Sequence, residues 1–291
     1  MGIILYYMPD SPPCRSVHLL AKELGLDVEL RLVNLGENEH LAREYVALNP
    51  THTIPTLDDN GFVIWESHAI MQYLANKYSK DHNLYPEDPE KRAIVDNRMF
   101  FESGTLFARI HAYVVPVIRG FADHFSSAQW EKVREALSWL NEFLEKSGGW
   151  VAGPQKTIAD ISMVNNIANV EVSKLKFLEE RLVKYEHLSA WMNKCKTAFK
   201  YYNDIVEKGA LNWEEYFLEL SEGKEMNEKY FFNLRKFQKM GITLYYLPHS
   251  PPCRAVHLLA KELGLEIEIK TVNLLENEHL NPEFIAVSLH S

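Results

Sequence analysis

Apolar and polar positions change their period several times along the chain. Ile3-Ile4-Leu5-Tyr6-Tyr7 is a short apolar run and predicts a buried strand. Polar residues and two prolines follow. An apolar stripe at helical spacing then runs from Cys14, and Gly25 closes it as a residue past the last turn. Val28 to Val33 alternates and predicts a second strand. The link between the two strands is long enough for a right-handed crossover, so they are expected to be parallel. A short helix is predicted near Leu41–Ala47. Thr53-Ile54-Pro55-Thr56-Leu57 and Phe62-Val63-Ile64-Trp65 flank Asp58-Asp59-Asn60-Gly61, and Asn-Gly between apolar runs predicts a hairpin. Ser67 is expected to cap a helix over Ala69–Lys77. The order βαβαββα defines a small α/β domain over residues 1–80.

The pattern then loses its period. Residues 81–91 carry Pro86, Pro89 and several charges and read as a linker. From Arg92 the helical period returns and holds through an all-helical domain, 92–216. Pro116 interrupts a helical stretch, so a kink is expected near Val115. Thr157-Ile158-Ala159-Asp160 reads as a capping box ahead of an apolar run. A charged helical or flexible linker, 217–240, follows.

The chain then restarts. Met240-Gly241-Ile242-Thr243-Leu244-Tyr245-Tyr246 repeats Met1-Gly2-Ile3-Ile4-Leu5-Tyr6-Tyr7, and Ser250-Pro251-Pro252-Cys253-Arg254 repeats Ser11-Pro12-Pro13-Cys14-Arg15. The match runs to Ala286, opposite Ala47, with about two-thirds of positions identical. Residues 241–291 therefore read as a truncated second copy of the N-terminal domain, a partial βαβ unit. It stops before any counterpart of Ile54-Pro55 or Glu66-Ser67. Ser250 and His279, the repeats of Ser11 and His40, are expected to be catalytically silent.

Composition narrows the class. With 291 residues, 46% of them hydrophobic, the chain can bury a large core. A net charge of -9 disfavours nucleic-acid partners. The N-terminus opens straight into a strand pattern, so no signal peptide is expected. No apolar run reaches the length of a membrane span. Cys14, Cys195 and Cys253 show neither metal spacing nor a disulfide framework. A cytoplasmic protein without a metal is the expectation.

The stretch that carries chemistry is Ser11-Pro12-Pro13-Cys14-Arg15. Ser11 sits where a helix N-cap belongs, with prolines in the first turn, where a missing N–H costs nothing. A helix N-terminus carries a positive partial charge and favours a nearby anion. A thiolate is such an anion, and a serine hydroxyl there can donate to it. The alternative is that Ser11 only caps.

The motif order resembles a known family. Ser-Pro-Pro-Cys-Arg, then His52-Thr53-Ile54-Pro55-Thr56-Leu57, then Glu66-Ser67-His68-Ala69-Ile70, then a helical domain with Thr-Ile-Ala-Asp, is similar to the cytosolic glutathione S-transferases. Phe101-Glu102-Ser103-Gly104 with Leu106-Phe107-Ala108-Arg109 is similar to the insect epsilon class, with delta as its neighbour. The resemblance covers roughly residues 1–216. It implies a thioredoxin-like N-terminal domain, an all-α C-terminal domain, glutathione as co-substrate and a homodimer. Ser11 would donate to the glutathione sulfur. Pro55 would be cis and would aim the Ile54 N–H and C=O at the cysteinyl backbone. Glu66 would face the γ-glutamyl ammonium, and Ser67 its carboxylate. His40 and His52 would lie near the glycyl carboxylate, with His68 nearby.

The resemblance also implies a pocket for a small hydrophobic electrophile, walled by Met8, Leu35, Phe107, Ile110, His111, Val114, Val115 and Ile118, with Trp213 and Tyr216 as a lid. Close relatives often carry Arg at the His111 position and charged or aromatic residues around Val114 and Val115, so a more apolar pocket is expected here. The implied activity is conjugation of the glutathione thiolate in detoxification, with a glutathione peroxidase side activity. Two rivals remain. A dithiol redox role is disfavoured because Ser11 stands where a nucleophilic cysteine would. A non-enzymatic carrier of hydrophobic ligands is disfavoured by the presence of Ser11, Ile54-Pro55 and Glu66-Ser67 together.

Overall fold

Strand β1 (Ile3–Tyr7) is the second strand of a four-stranded sheet, ordered β2-β1-β3-β4. β2 (Val28–Leu32) pairs with it in parallel, as the long crossover requires. β3 (Thr56–Asp59) pairs with β1 antiparallel, and β4 (Phe62–Trp65) with β3. A computed structural model of the chain describes residues 2–172, 182–221, 242–246, 253, 257, 260, 261 and 267–272. It divides into two units, Met1–Met226 and Asn227–Ser291.

The hairpin follows the Asn-Gly signal. Asn60 and Gly61 both take positive φ, 54° and 95°, and the Gly61 N–H donates to Asp58 Oδ1 at 2.7 Å. Helix α1 (Pro12–Glu23) starts two residues before its apolar stripe, because proline at the first helical positions already has a helical φ and gives up no needed donor. Gly25 follows it at φ +71°. A 3₁₀ turn, Glu39–Leu41, and α2 (Arg43–Leu48) cover the expected short helix. α3 (Ser67–Tyr78) has Glu66, not Ser67, as its N-cap. Ser67 is the first helical residue.

Alternation along β1 sorts the two faces of the sheet. Ile3 and Leu5 are buried in the core with Val17, Leu20, Ile70 and Leu74 of α1 and α3. Tyr6 points the other way and meets the Tyr45 ring of α2 edge-on, 5.9 Å between centroids.

The helical half opens with α4 (Pro89–Phe101), which starts inside the stretch expected to be linker. Asp88 caps it by accepting from the Lys91 N–H at 2.9 Å, and Pro89 takes the first position. A π-helical segment (Glu102–Phe107) joins α4 to α5 (Ala108–Ile118). α5 carries Pro116 in its last turn, so the proline ends the helix two residues on rather than splitting it. α6 (Ser127–Ser147), α7 (Ile158–Val172), α8 (Glu186–Ala198) and α9 (Lys208–Ser221) complete the half, with a second π-helical segment (Tyr202–Glu207) before α9.

α7 is buried on every side from Ile158 to Val170, which makes it the central helix of this half. Half of the expected capping box forms. Asp160 accepts from the Thr157 N–H at 2.8 Å, but the Thr157 hydroxyl turns to the same carboxylate at 3.1 Å. Val151 N–H and Trp191 Nε1 also donate to Asp160, at 2.9 Å each, so a fully buried carboxylate has four donors.

In the second unit, β5 (Ile242–Tyr246) and β6 (Ile267–Thr271) pair in parallel. Their register is that of β1 and β2: Ile242 pairs with Ile267 as Ile3 pairs with Val28, and Tyr246 with Thr271 as Tyr7 with Leu32. Side chains repeat too. Tyr246 meets His257 edge-on at 5.3 Å, as Tyr7 meets His18 at 6.0 Å. Ser250 and His279 lie outside the described residues.

Candidate active site

Strand register gathers the motifs at one sheet edge. Tyr6, Thr56 and Trp65 are aligned across β1, β3 and β4. The segments that leave the sheet beyond them are Met8–Ser11, Ile54–Pro55 and Glu66–Ser67, brought from three distant parts of the sequence. Tyr7 pairs with Leu32, so Leu35 leaves β2 at the same edge.

Ser11 is the N-cap residue of α1, with extended backbone (φ −79°, ψ 116°), and its hydroxyl makes no capping hydrogen bond. Pro13 removes one of the two N–H donors that a cap could satisfy, and the hydroxyl leaves the other, on Cys14, unbonded. The two tyrosines at the end of β1 have other partners. Tyr6 OH accepts from Arg31 Nη1 at 3.1 Å, and Tyr7 packs on His18, with burial holding its phenol above the ordinary value. Cys14 is fully buried, and burial pushes its thiol up to about 11 despite hydrogen bonds from Ser11 and Met8. A buried thiol held neutral there is a poor nucleophile, which weighs against the redox reading.

The Ile54–Pro55 peptide is cis. Among the described residues no backbone hydrogen bond engages Ile54. A buried asparagine holds the turn in shape. Asn49 Nδ2 donates to the Thr53 carbonyl and to Thr56 Oγ1, both at 3.0 Å, while its Oδ1 accepts from the Thr51 N–H at 2.9 Å. Tyr45 OH donates to the same Thr53 carbonyl at 2.6 Å. The turn brings His52, at φ +47°, to 6.1 Å from the His40 ring. Glu66 stands at φ +69°, outside the comfortable region for a non-glycine residue.

His68 does not join His40 and His52. Its Nε2 lies 2.7 Å from both Glu102 Oε2 and Ser162 Oγ, in the seam between the two halves. Asn166 Nδ2 donates to the other Glu102 oxygen. Ser16 donates to the Ser162 carbonyl at 3.4 Å and accepts from Asn165 at 3.2 Å. Glu102, Ser162, Asn165, Asn166, Asn169 and Asn49 are the residues that sequence reasoning missed. The α7 set had a legible signal: polar positions recur at helical spacing inside an otherwise apolar helix.

The expected pocket wall is mixed. Met8, Leu35, Phe107, Ile110, Val115 and Ile118 are half-buried, whereas Val114 is a core residue at 6% exposure. Phe107 and His111 lie ring to ring, 5.7 Å apart. Desolvation first, and the charge of Arg119 second, hold His111 below its ordinary value, so it is neutral near pH 7. Trp213 stacks on the buried Phe217 at 5.0 Å, and Tyr216, one turn face away, is 45% exposed.

Among the described residues no group of three or more His, Cys, Asp or Glu is arranged to hold a metal ion. None of their helices is long and apolar enough to cross a membrane.

An α/β half with a cis-proline turn and a serine hydroxyl that does not cap at the start of its first helix, joined to an all-helical half, defines the class. The chain belongs to the glutathione S-transferase family. The family model for the glutathione S-transferase N-terminal domain matches residues 5–82, and that for the C-terminal domain matches residues 110–197. Glutathione S-transferase D7 of Anopheles gambiae is 44% identical over 212 residues, 72% of this chain and 94% of that protein. A delta-class glutathione transferase from Nilaparvata lugens is 42% identical with a TM-score of 0.71, covering 75% of this chain and 99% of its own. An epsilon-class enzyme from the housefly, Musca domestica, is 35% identical with a TM-score of 0.71, covering 77% and 100%.

Proposed function

We propose that the protein conjugates the glutathione thiolate to small hydrophobic electrophiles, with Ser11 stabilising the thiolate. The observation that carries this reading is the Ser11 hydroxyl, free of capping duty, at the sheet edge shared with Ile54–Pro55 and Glu66–Ser67. A free thiol with a pKa near 8.5 is mostly protonated at neutral pH, so each unit of depression gives nearly tenfold more thiolate. Ile54 offers its backbone to the cysteinyl residue, extending the sheet. Glu66 and Ser67 take the γ-glutamyl end, and His40 and His52 the glycyl carboxylate. The electrophile lies against Met8, Leu35, Phe107, Ile110, His111, Val115 and Ile118, under Trp213 and Tyr216. A neutral His111 supports an apolar electrophile. Organic hydroperoxides are a second substrate class.

The protein works in the cytoplasm as a two-fold dimer. The Phe101–Gly104 motif favours the epsilon class, but the higher identity to delta-class relatives weighs against that placement. Residues 241–291 are a copy of the opening part of the first domain. The shared register of β1–β2 and β5–β6 supports this. Replacing Ser11 by Ala tests the central claim. Removing one donor to an anion costs about 10²- to 10³-fold in rate, and the thiol pKa of bound glutathione should rise while glutathione affinity holds. An unchanged pH–rate profile would sink the assignment.

A further inference from the structure

Arg15 is the fourth residue after Ser11, and its N–H donates to the Ser11 carbonyl at 3.0 Å. Its side chain is 1% exposed. Nη1 donates to the Val206 carbonyl and Nη2 to the Asn165 carbonyl, at 3.0 Å each, and Nη2 also reaches Asn169 Oδ1. All these partners are neutral, and Nε has none. A buried guanidinium normally meets a carboxylate. No carboxylate accepts a hydrogen bond from this one among the described residues. Burial lowers it only to about 10, so it is charged at neutral pH.

The helical half closes tightly over it. A Cβ at Gly209 of α9 would collide with Arg15 Cδ and stand 2.7 Å from the Pro9 carbonyl oxygen. α9 thus presses on both Arg15 and the loop that carries Ser11. Only glycine permits that approach.

We propose that Arg15 is a positioning residue for thiolate formation: it ties the first turn of α1 to α7 and to the segment before α9, and its buried charge supplements the Ser11 hydroxyl. This rests on the reading of Ser11 given above. The groups that face Arg15 are few. Asp10 comes from the loop before α1, Cys14 from α1 and Tyr202 from the π-helical segment; Glu207 of that segment and Glu171 of α7 act in turn on Tyr202. α7 contributes the neutral Asn165 and Asn169 directly, and its Glu171 reaches Arg15 only through Tyr202. The Arg15 charge draws down both Asp10 and Cys14, the residues on either side of the Ser11 turn, although desolvation acts on each more strongly. Among the described residues Asp10 is the carboxylate that partly offsets the charge.

The test measures the thiol pKa of bound glutathione, from the pH dependence of kcat/KM, in the full chain and four variants. Arg15→Met should raise that pKa by about one unit, nearly a tenfold loss of thiolate at neutral pH. Arg15→Lys should recover most of the shift while turnover stays reduced, because the fork to Val206 and Asn165 is lost. Asp10→Asn should move the pKa down. A parental pH profile in folded Arg15→Met overturns the proposal. If Arg15→Met fails to fold, Asp10→Asn decides: a lowered pKa supports the proposal, and an unchanged or raised one overturns it. Ser11→Ala separates the two readings. An unchanged profile there removes the thiolate role of Ser11 itself. A shifted profile there with no response to Arg15→Met removes only the role of Arg15.

Discussion

His68 and Glu102 meet at 2.7 Å across the seam between α3 and the π-helical segment that follows α4. His68 is one residue past Ser67, and Glu102 is 4% exposed. The pair, with Ser162 and Asn166, fixes the start of α3, where Glu66 holds a positive φ.

Replacing Glu102 by Gln should therefore loosen the γ-glutamyl end of the site rather than the thiolate end. Losing one hydrogen bond to a charged group costs about 1.5–3 kcal/mol, and only part of that reaches the bound ligand. We expect glutathione KM to rise severalfold while the pH profile keeps its position. Glutathione titration by tryptophan fluorescence checks the affinity. A shifted pH profile with unchanged affinity would contradict this role.

Asn49 makes a second test, on the cis-proline turn. It is fully buried and spans Thr51, Thr53 and Thr56. Asn49→Ala leaves buried polar groups unpaired at about 1–3 kcal/mol. Hydrogen exchange at the Thr51 amide, which donates to Asn49 Oδ1, should accelerate, and glutathione affinity should fall. Unchanged protection at that amide would show that Asn49 does not shape the turn.

Asp59 predicts a pH dependence of stability. Its side chain is fully buried, and Oδ2 accepts from Lys77 and Tyr73 at 2.7 Å and from Tyr78 at 2.6 Å. Desolvation opposes its ionisation, but the hydrogen bonds from Lys77, Tyr78, Tyr73 and Asn60 together win and hold the carboxyl well below its usual range. A group depressed in the folded state contributes stability above its unfolded pKa, near 3.9, and loses it as pH falls toward the folded value. Asp59→Asn should thus lower Tm at pH 7 by roughly 3–10 °C and flatten the loss of stability below about pH 4. Calorimetry across that range checks it; parallel acid limbs in both proteins would exclude Asp59 as the source.

The C-terminal copy is open to a direct comparison. The full chain, a truncation after Lys239 and full-length Ser250→Ala should show comparable specific activity, because no residue of 241–291 corresponds to Ile54–Pro55 or Glu66–Ser67. Loss of activity on truncation, or a defect in Ser250→Ala as large as that of Ser11→Ala, would mean that the copy contributes to a site.

Much of the α/β half was legible from local signals. Asn60-Gly61 specified its turn because positive φ at both positions admits few residue pairs. The length of the link after β1 specified a parallel neighbour, and the same residues in the second copy specify the same register. Boundaries slipped where a cap was misjudged. Pro89 looked like linker although it begins α4 behind Asp88, and Ser67 looked like a cap although Glu66 takes that position. In both places the apolar stripe begins later than the helix.

By itself, then, the sequence determined the order of elements, the two halves, the repeat and the motifs that resemble the family's glutathione site, because each is written in spacing and side-chain type within a few residues. Tertiary structure decided which other groups are free to act. Cys14 is buried into inertness, His68 is drawn into the seam by Glu102, and Arg15 is left charged among neutral partners. The Arg15 outcome depends on α7, about 150 positions away, and the His68 outcome on Glu102 and Ser162. Desolvation and hydrogen-bond partnership are set by what packs against a residue, and local sequence does not carry that information.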